Sequence, residues 1–128
     1  MGAERLELDP SLVWLARSVI TMEYTFDHVA QIVPDIAEAV VWYQEHLGAT
    51  VLYQDATWAF VEAGGARLAF VVKDQHPDHL AWRVSGELLE TLAAQYGKEI
   101  KTHRDQTRSF YLEAPGGTHI EIIHWPDK

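Results

Sequence analysis

Two short stretches decide how this chain is read: Phe26-Asp27-His28-Val29-Ala30 and Asp78-His79-Leu80-Ala81-Trp82. A histidine opens a strand-like run in each, and the two histidines stand 51 positions apart. Working outward, a helix-like stretch ends at Leu47-Gly48 and again at Tyr96-Gly97, 49 positions on. A Gly-Gly turn stands at Gly64-Gly65 and returns at Gly116-Gly117, 52 positions on. Three landmarks near one period are the mark of an internal duplication.

The elements follow in the same order in both copies. Phe26–Val33 favours strand and Pro34-Asp35 stops it; Asp35 with Glu38 then has capping-box spacing, and Ile36, Ala39, Val40, Tyr43 and Leu47 form one apolar stripe that Gly48 terminates. Thr50–Gln54, Thr57–Ala63 and Arg67–Val72 read as three strands between turns. In the second copy a strand at His79–Val84 precedes a helix from about Gly86 to Gly97, and strands are expected near Glu99–His103, Arg108–Glu113 and His119–His124. Each copy is a βαβββ module, 26–73 and 78–125, and the fold class is α+β, with the modules expected to form one curved mixed sheet. At 128 residues the chain has room for one domain with a real core, so the halves share residues 23–128 as a single domain. Residues 1–22 have no counterpart in the second copy. Asp9-Pro10 followed by Leu12, Leu15, Ala16 and Val19 predicts a short amphipathic helix in this extension.

Composition narrows the function. With 48% hydrophobic and 23% charged residues the chain is built to fold rather than stay disordered. A formal charge of −9 repels nucleic acid and anionic membranes, which leaves a small molecule as the expected partner. No cysteine is present, so a metal must be held by nitrogen and oxygen. No apolar run approaches the roughly 20 residues that span a bilayer. Arg17 interrupts the one N-terminal stretch that could be taken for a secretory signal, and the cytoplasm is the expected location.

Alternation along strands selects the chemistry, because successive side chains point to opposite faces. His79, Ala81 and Arg83 share a face opposite Leu80, Trp82 and Val84; His119, Glu121 and Ile123 share one opposite Ile120 and Ile122. The apolar sets belong under the helices, which leaves His79 and Glu121 on the open face. His28 joins them through the repeat. Two imidazoles and a carboxylate on one side of a metal leave positions free for water, substrate or dioxygen, as in non-haem iron oxygenases, and the same set suits catalytic zinc. One divalent ion, Fe2+, Mn2+, Zn2+ or Ni2+, is the expected cofactor. His119 and Tyr111 are candidate acid-base groups, Glu62 a further one, and Arg83 a candidate anchor for an anionic substrate. His46, His76, His103 and His124 read as structural, Trp42, Tyr43 and Trp82 as core, and Trp58 and Phe60 fit either the core or the cleft.

Phe26-Asp27-His28-Val29-Ala30, Val41-Trp42-Tyr43 with Leu47-Gly48, His79-Leu80-Ala81, and Tyr111-Leu112-Glu113-Ala114-Pro115-Gly116-Gly117-Thr118-His119-Ile120-Glu121-Ile122 together resemble the vicinal oxygen chelate superfamily, over about residues 25–125. That superfamily includes glyoxalase I, fosfomycin resistance enzymes, extradiol dioxygenases, methylmalonyl-CoA epimerase and bleomycin resistance proteins. The resemblance implies paired modules around a metal cleft, often in a homodimer, with metal positions on His28, His79 and Glu121. A fourth family position falls on Ala69, which cannot ligate; glyoxalase I has a glutamate there and the epimerase a glutamine. The expected function is therefore metal-dependent chemistry on an oxygen-bearing small molecule through an anionic intermediate, of lyase, isomerase or dioxygenase type. The alternative is a non-catalytic protein that sequesters a small molecule, as bleomycin resistance proteins do.

Overall fold

A computed structural model describes residues 23–126, so the helix expected within 1–22 lies outside the described residues. The chain runs β1 (Thr25–Ile32), α1 (Ile36–Leu47), β2 (Thr50–Gln54), β3 (Trp58–Ala63) and β4 (Ala66–Val71). It then repeats the series as β5 (His79–Arg83), α2 (Gly86–Tyr96), β6 (Lys101–Thr102), β7 (Arg108–Glu113) and β8 (His119–His124), with a short 3₁₀ turn at Pro115–Gly117. Asp35, Gly48 and Gly97 bound the helices as their sequence predicts, and Ser85 caps the second helix. Asp35 accepts from the Glu38 amide at 2.8 Å, Ser85 accepts from the Leu88 amide at 3.1 Å, and Gly48 and Gly97 each end a helix at a φ of 65°.

All eight strands form one open, curved, mixed sheet in the order β2-β3-β4-β1-β5-β8-β7-β6. The modules meet where β1 and β5 run antiparallel, with His28 opposite Ala81 and Ala30 opposite His79. Either side of that seam the pairing is parallel, β1 with β4 and β5 with β8. The duplication thus places equivalent positions symmetrically about the centre of the sheet. Phe60 pairs with Ala69 in the first module as Tyr111 pairs with Glu121 in the second.

Each helix covers its own half of one face. Ile36 and Val40 of α1 pack on Val61 and Phe70, while Leu89, Leu92 and Ala93 of α2 pack on Phe110 and Ile122. The other face carries a smaller cluster of Ala30, Phe60 and Ala69 with Trp58 and Trp125 beside it. That face holds the site. Two expectations are corrected here. The strand near Glu99–His103 shortens to Lys101–Thr102, because this edge strand has a single neighbour and pairs with it at only Ser109 and Arg108. Trp42 does not join the core: it is half exposed and its ring stacks on that of His46 at 4.2 Å.

Candidate metal centre

The first strand carries a β-bulge between Phe26 and His28, so two residues face one partner position on β5. Simple alternation would send Asp27 to the face opposite His28. The bulge instead buries both, and their side chains bond to each other. His79 stands at the start of β5 and Glu121 opposite Ala81 on β8. Three strands from two modules thereby bring three buried groups together. His28 Nε2 lies 3.4 Å from His79 Nε2 and 3.6 Å from Glu121 Oε1, and His79 Nε2 lies 3.1 Å from the same oxygen.

The outer nitrogens of the two rings define what the inner ones offer. His79 Nδ1 lies 2.7 Å from the Pro77 carbonyl oxygen, and His28 Nδ1 lies 2.6 Å from Asp27 Oδ2. Carbonyl and carboxylate oxygens only accept, so each Nδ1 donates and each neutral ring turns a bare electron pair on Nε2 toward the other. No hydrogen bond forms between the two Nε2 atoms in that state. Two electron pairs and a carboxylate oxygen therefore face one another, and positive charge between them, a proton or a metal ion, is what makes the arrangement stable. Donor atoms roughly 2.0–2.2 Å from one ion are about 3.0 Å apart at right angles and about 3.4 Å apart at tetrahedral angles. The observed edges match that triangle. Among the described residues, His28, His79 and Glu121 are the set of histidine and carboxylate groups placed to hold an ion.

A further layer holds these groups in place. Asp27 Oδ1 accepts from Arg83 Nε at 3.0 Å, Arg83 Nη2 at 2.8 Å and Trp125 Nε1 at 3.1 Å, with Arg67 3.5 Å away. Burial raises the Asp27 carboxyl, yet His28, Arg67 and Arg83 outweigh it and leave the group below its ordinary range. The second oxygen of Glu121 accepts from Ser109 Oγ at 2.7 Å. Since the serine proton is committed there, His103 Nε2 must donate to the same Oγ at 2.6 Å. Burial also raises Glu121, and His79, Ser109 and His28 bring it net below the usual carboxylate range.

A cavity of about 250 Å³ opens beside the triad. Trp58, Phe60, Ala69 and Trp125 form its apolar wall; His76, His103, Thr107 and Tyr111 form the polar one. The ambiguity over Trp58 and Phe60 is thus resolved toward the cleft. Tyr111 packs its ring edge-on against His79 at 5.2 Å and its hydroxyl is bonded to His76 Nδ1 at 3.1 Å. Burial, then the charge of Glu121, pushes the Tyr111 phenol far above its ordinary value, so it stays protonated. Burial also lowers His76, keeping that ring neutral.

Several sequence-based expectations are redistributed. His76 and His103, read as structural, line the cavity; they sit in connections where strand alternation gives no signal. His119 shares its strand face with Glu121 but does not line this cavity; it borders a second recess with Pro77, Asp78 and Gly117, which His79 also lines. Arg83 is engaged by Asp27 through two hydrogen bonds and is not among the residues lining the cavity. Glu62 is exposed and is likewise not among the lining residues. His124 is bonded to the Val84 carbonyl, away from the triad, in keeping with a structural part.

Paired βαβββ modules in one curved sheet, with two histidines and a glutamate brought together in its cleft, define the class of fold. The chain belongs to the Glyoxalase/Bleomycin resistance protein/Dioxygenase superfamily, whose family model matches residues 25–126. Methylmalonyl-CoA epimerase from Mycobacterium tuberculosis has the same fold, with a TM-score of 0.63 at 20% identity over 80% of this chain and 88% of that one. A superfamily member from Vibrio splendidus 12B01 aligns with a TM-score of 0.54 at 12% identity, over 78% of this chain and 98% of that one. The E323L mutant of homoprotocatechuate 2,3-dioxygenase from Brevibacterium fuscum aligns with a TM-score of 0.60 at 18% identity, over 80% of this chain but 32% of the longer enzyme. No curated protein matches the sequence. Among the described residues no helix is long and apolar enough to cross a membrane.

Proposed function

We propose that the chain is a divalent-metal-dependent enzyme that binds an oxygen-bearing small molecule beside His28, His79 and Glu121 and stabilises an anionic intermediate. The observation that carries this reading is the donor triangle itself, with edges of 3.1, 3.4 and 3.6 Å and both imidazoles protonated on the far nitrogen. A bound divalent ion would polarise a substrate oxygen and lower the cost of negative charge on it. The rest of the work falls to the chain. Trp58, Phe60 and Trp125 offer flat apolar surface to the body of the ligand and keep water from that side. Tyr111 supplies a hydroxyl that remains a proton donor at neutral pH, and His76 supplies a neutral base hydrogen-bonded to it. Ser109, held by His103, fixes Glu121 so that Oε1 faces the imidazoles.

Three protein donors and a methyl group at Ala69 leave room on the cavity side of the triad for the oxygens of a substrate. That favours chemistry in which the substrate itself binds the ion, whether lyase, isomerase or dioxygenase in type. A sequestering protein without metal would have no use for two facing electron pairs and a buried carboxylate, which cost stability when left uncompensated. A cytoplasmic homodimer is part of the same proposal, and light scattering that returned a mass near 14.5 kDa would remove the dimer.

Elemental analysis of the purified protein, followed by His79→Ala, tests the central claim. The expected result is near one equivalent of a divalent metal in the wild type and loss of most of it in the variant. Equal metal content in the two proteins would show that the triad is not the site.

A further inference from the structure

The duplication gives each histidine an aspartate before it, Asp27-His28 and Asp78-His79, and the structure uses the two carboxylates differently. Asp78 is exposed and its Oδ1 accepts from the Ile32 amide at 2.7 Å, so it ties β1 to β5. His79 donates to a neutral main-chain carbonyl instead. Asp27 is buried because the bulge turns it to the cleft side, and it divides its two oxygens. Oδ1 takes the donors of Arg83 and Trp125, while Oδ2 is left for His28 Nδ1. The matching histidines of a duplicated fold therefore have unlike partners, one charged and one neutral.

We propose that Asp27 is a positioning residue for the metal site, holding His28 in the Nδ1-protonated form and making it the stronger electron-pair donor of the two imidazoles. A carboxylate behind a ligating imidazole fixes its tautomer and orientation and raises its basicity, and removing such a partner typically weakens metal binding by about 10–100-fold. Arg83 and Trp125 act one step further out, by anchoring Oδ1 so that Oδ2 meets the ring. Arg67, 3.5 Å from the same oxygen, places a further positive charge beside the buried carboxylate. This inference rests on the metal reading above and adds an asymmetry within it: the first module contributes the charged relay and the second the neutral one.

The test uses Co2+ as probe, with affinity measured by chelator competition on the full chain. Asp27→Asn keeps the shape of the side chain and removes its charge. It is expected to weaken Co2+ binding about 10–100-fold and to move the His28 Nδ1 proton resonance of the metal-free protein upfield. Asp78→Asn, the equivalent position of the other module, is expected to change affinity by less than about threefold. Equal losses in the two variants, an Asp27→Asn affinity within about threefold of wild type, or an unmoved His28 resonance would each overturn the proposal. If Asp27→Asn does not fold, Arg83→Gln carries the test; it removes two anchors and leaves the carboxylate, and unchanged Co2+ affinity there would overturn the proposal equally. Wild-type protein that binds no Co2+ at all would instead sink the metal reading on which this one stands.

Discussion

Ser109→Ala is the sharpest probe of how the glutamate is held. Ser109 is 1% exposed and bonds two groups, donating to Glu121 Oε2 at 2.7 Å and accepting from His103 Nε2 at 2.6 Å. Removing its hydroxyl leaves a buried, ionised oxygen without that donor, a loss of roughly 1.5–3 kcal/mol for a hydrogen bond to a charged group. His103 is only half buried and stands 3.7 Å from the same oxygen, so it can move in and recover part of the loss. The net expectation is about 2 kcal/mol. For a chain of this length that corresponds to a midpoint roughly 6–10 °C lower in thermal unfolding of the chelator-treated protein. A double-mutant cycle with His103→Gln sharpens the reading, because the histidine braces the serine in the wild type and reaches the glutamate directly once the hydroxyl is gone, so the two substitutions should not add. A fall of under about 2 °C, or strictly additive effects, would refute the picture of Glu121 held by a serine that is itself held by a histidine.

Ala69→Glu restores a carboxylate at the repeat-equivalent of Glu121; it should tighten Co2+ binding about tenfold or more while lowering the stability of the chelated protein, and unchanged affinity would show that the two modules do not superpose at this point. Asp55 is held below its ordinary range by the Tyr53 hydroxyl first and by Thr57 and Trp58 besides, so its folded value lies under the unfolded one near 3.9. Its contribution is then present above about pH 4 and lost as the pH falls, and the stability gap between wild type and Asp55→Asn should narrow from pH 7 to pH 3; a gap that stays constant contradicts the assignment. Gly97 ends α2 at a φ of 65°, so Gly97→Ala should cost about 1 kcal/mol in urea unfolding. Gly86→Ala should be neutral or stabilise by about 0.5 kcal/mol, because its added carbon meets His124 Nε2 at 3.4 Å in ordinary backbone; a loss equal to that at Gly97 would show the fit to be tighter than the geometry allows.

Legibility in the sequence followed physical range. Asp35, Gly48 and Gly97 act within one helical turn of themselves, and the helices they bound were readable to the residue. Alternation along β5 and β8 placed His79 and Glu121 on one face because both strands run regularly against each other. Alternation gives no warning of Asp27, since a bulge cancels the period at one residue and nothing local in Phe26-Asp27-His28 announces it. His76 and His103 were hidden for a different reason. They lie between strands, where the side-chain direction is set by the turn and by partners such as Tyr111 and Ser109, 35 and 6 positions away.

The same duplication explains why the cleft has two unlike walls. Equivalent positions of the modules lie on either side of the β1–β5 seam, and they carry unlike residues. Where the second module has Tyr111 paired with Glu121, the first has Phe60 paired with Ala69. One half thus presents apolar surface, extended by Trp58. The other has a hydroxyl and a carboxylate, with Ser109 and His103 behind them. Histidine stands on both sides, and each is braced by whatever its own module supplies, a buried carboxylate for His28 and a main-chain carbonyl for His79. The symmetric scaffold thus carries one apolar wall and one polar wall. The division has a physical consequence: a polar group in place of Phe60 or Ala69 would have to be desolvated with the ligand, whereas these two release their water at no such cost.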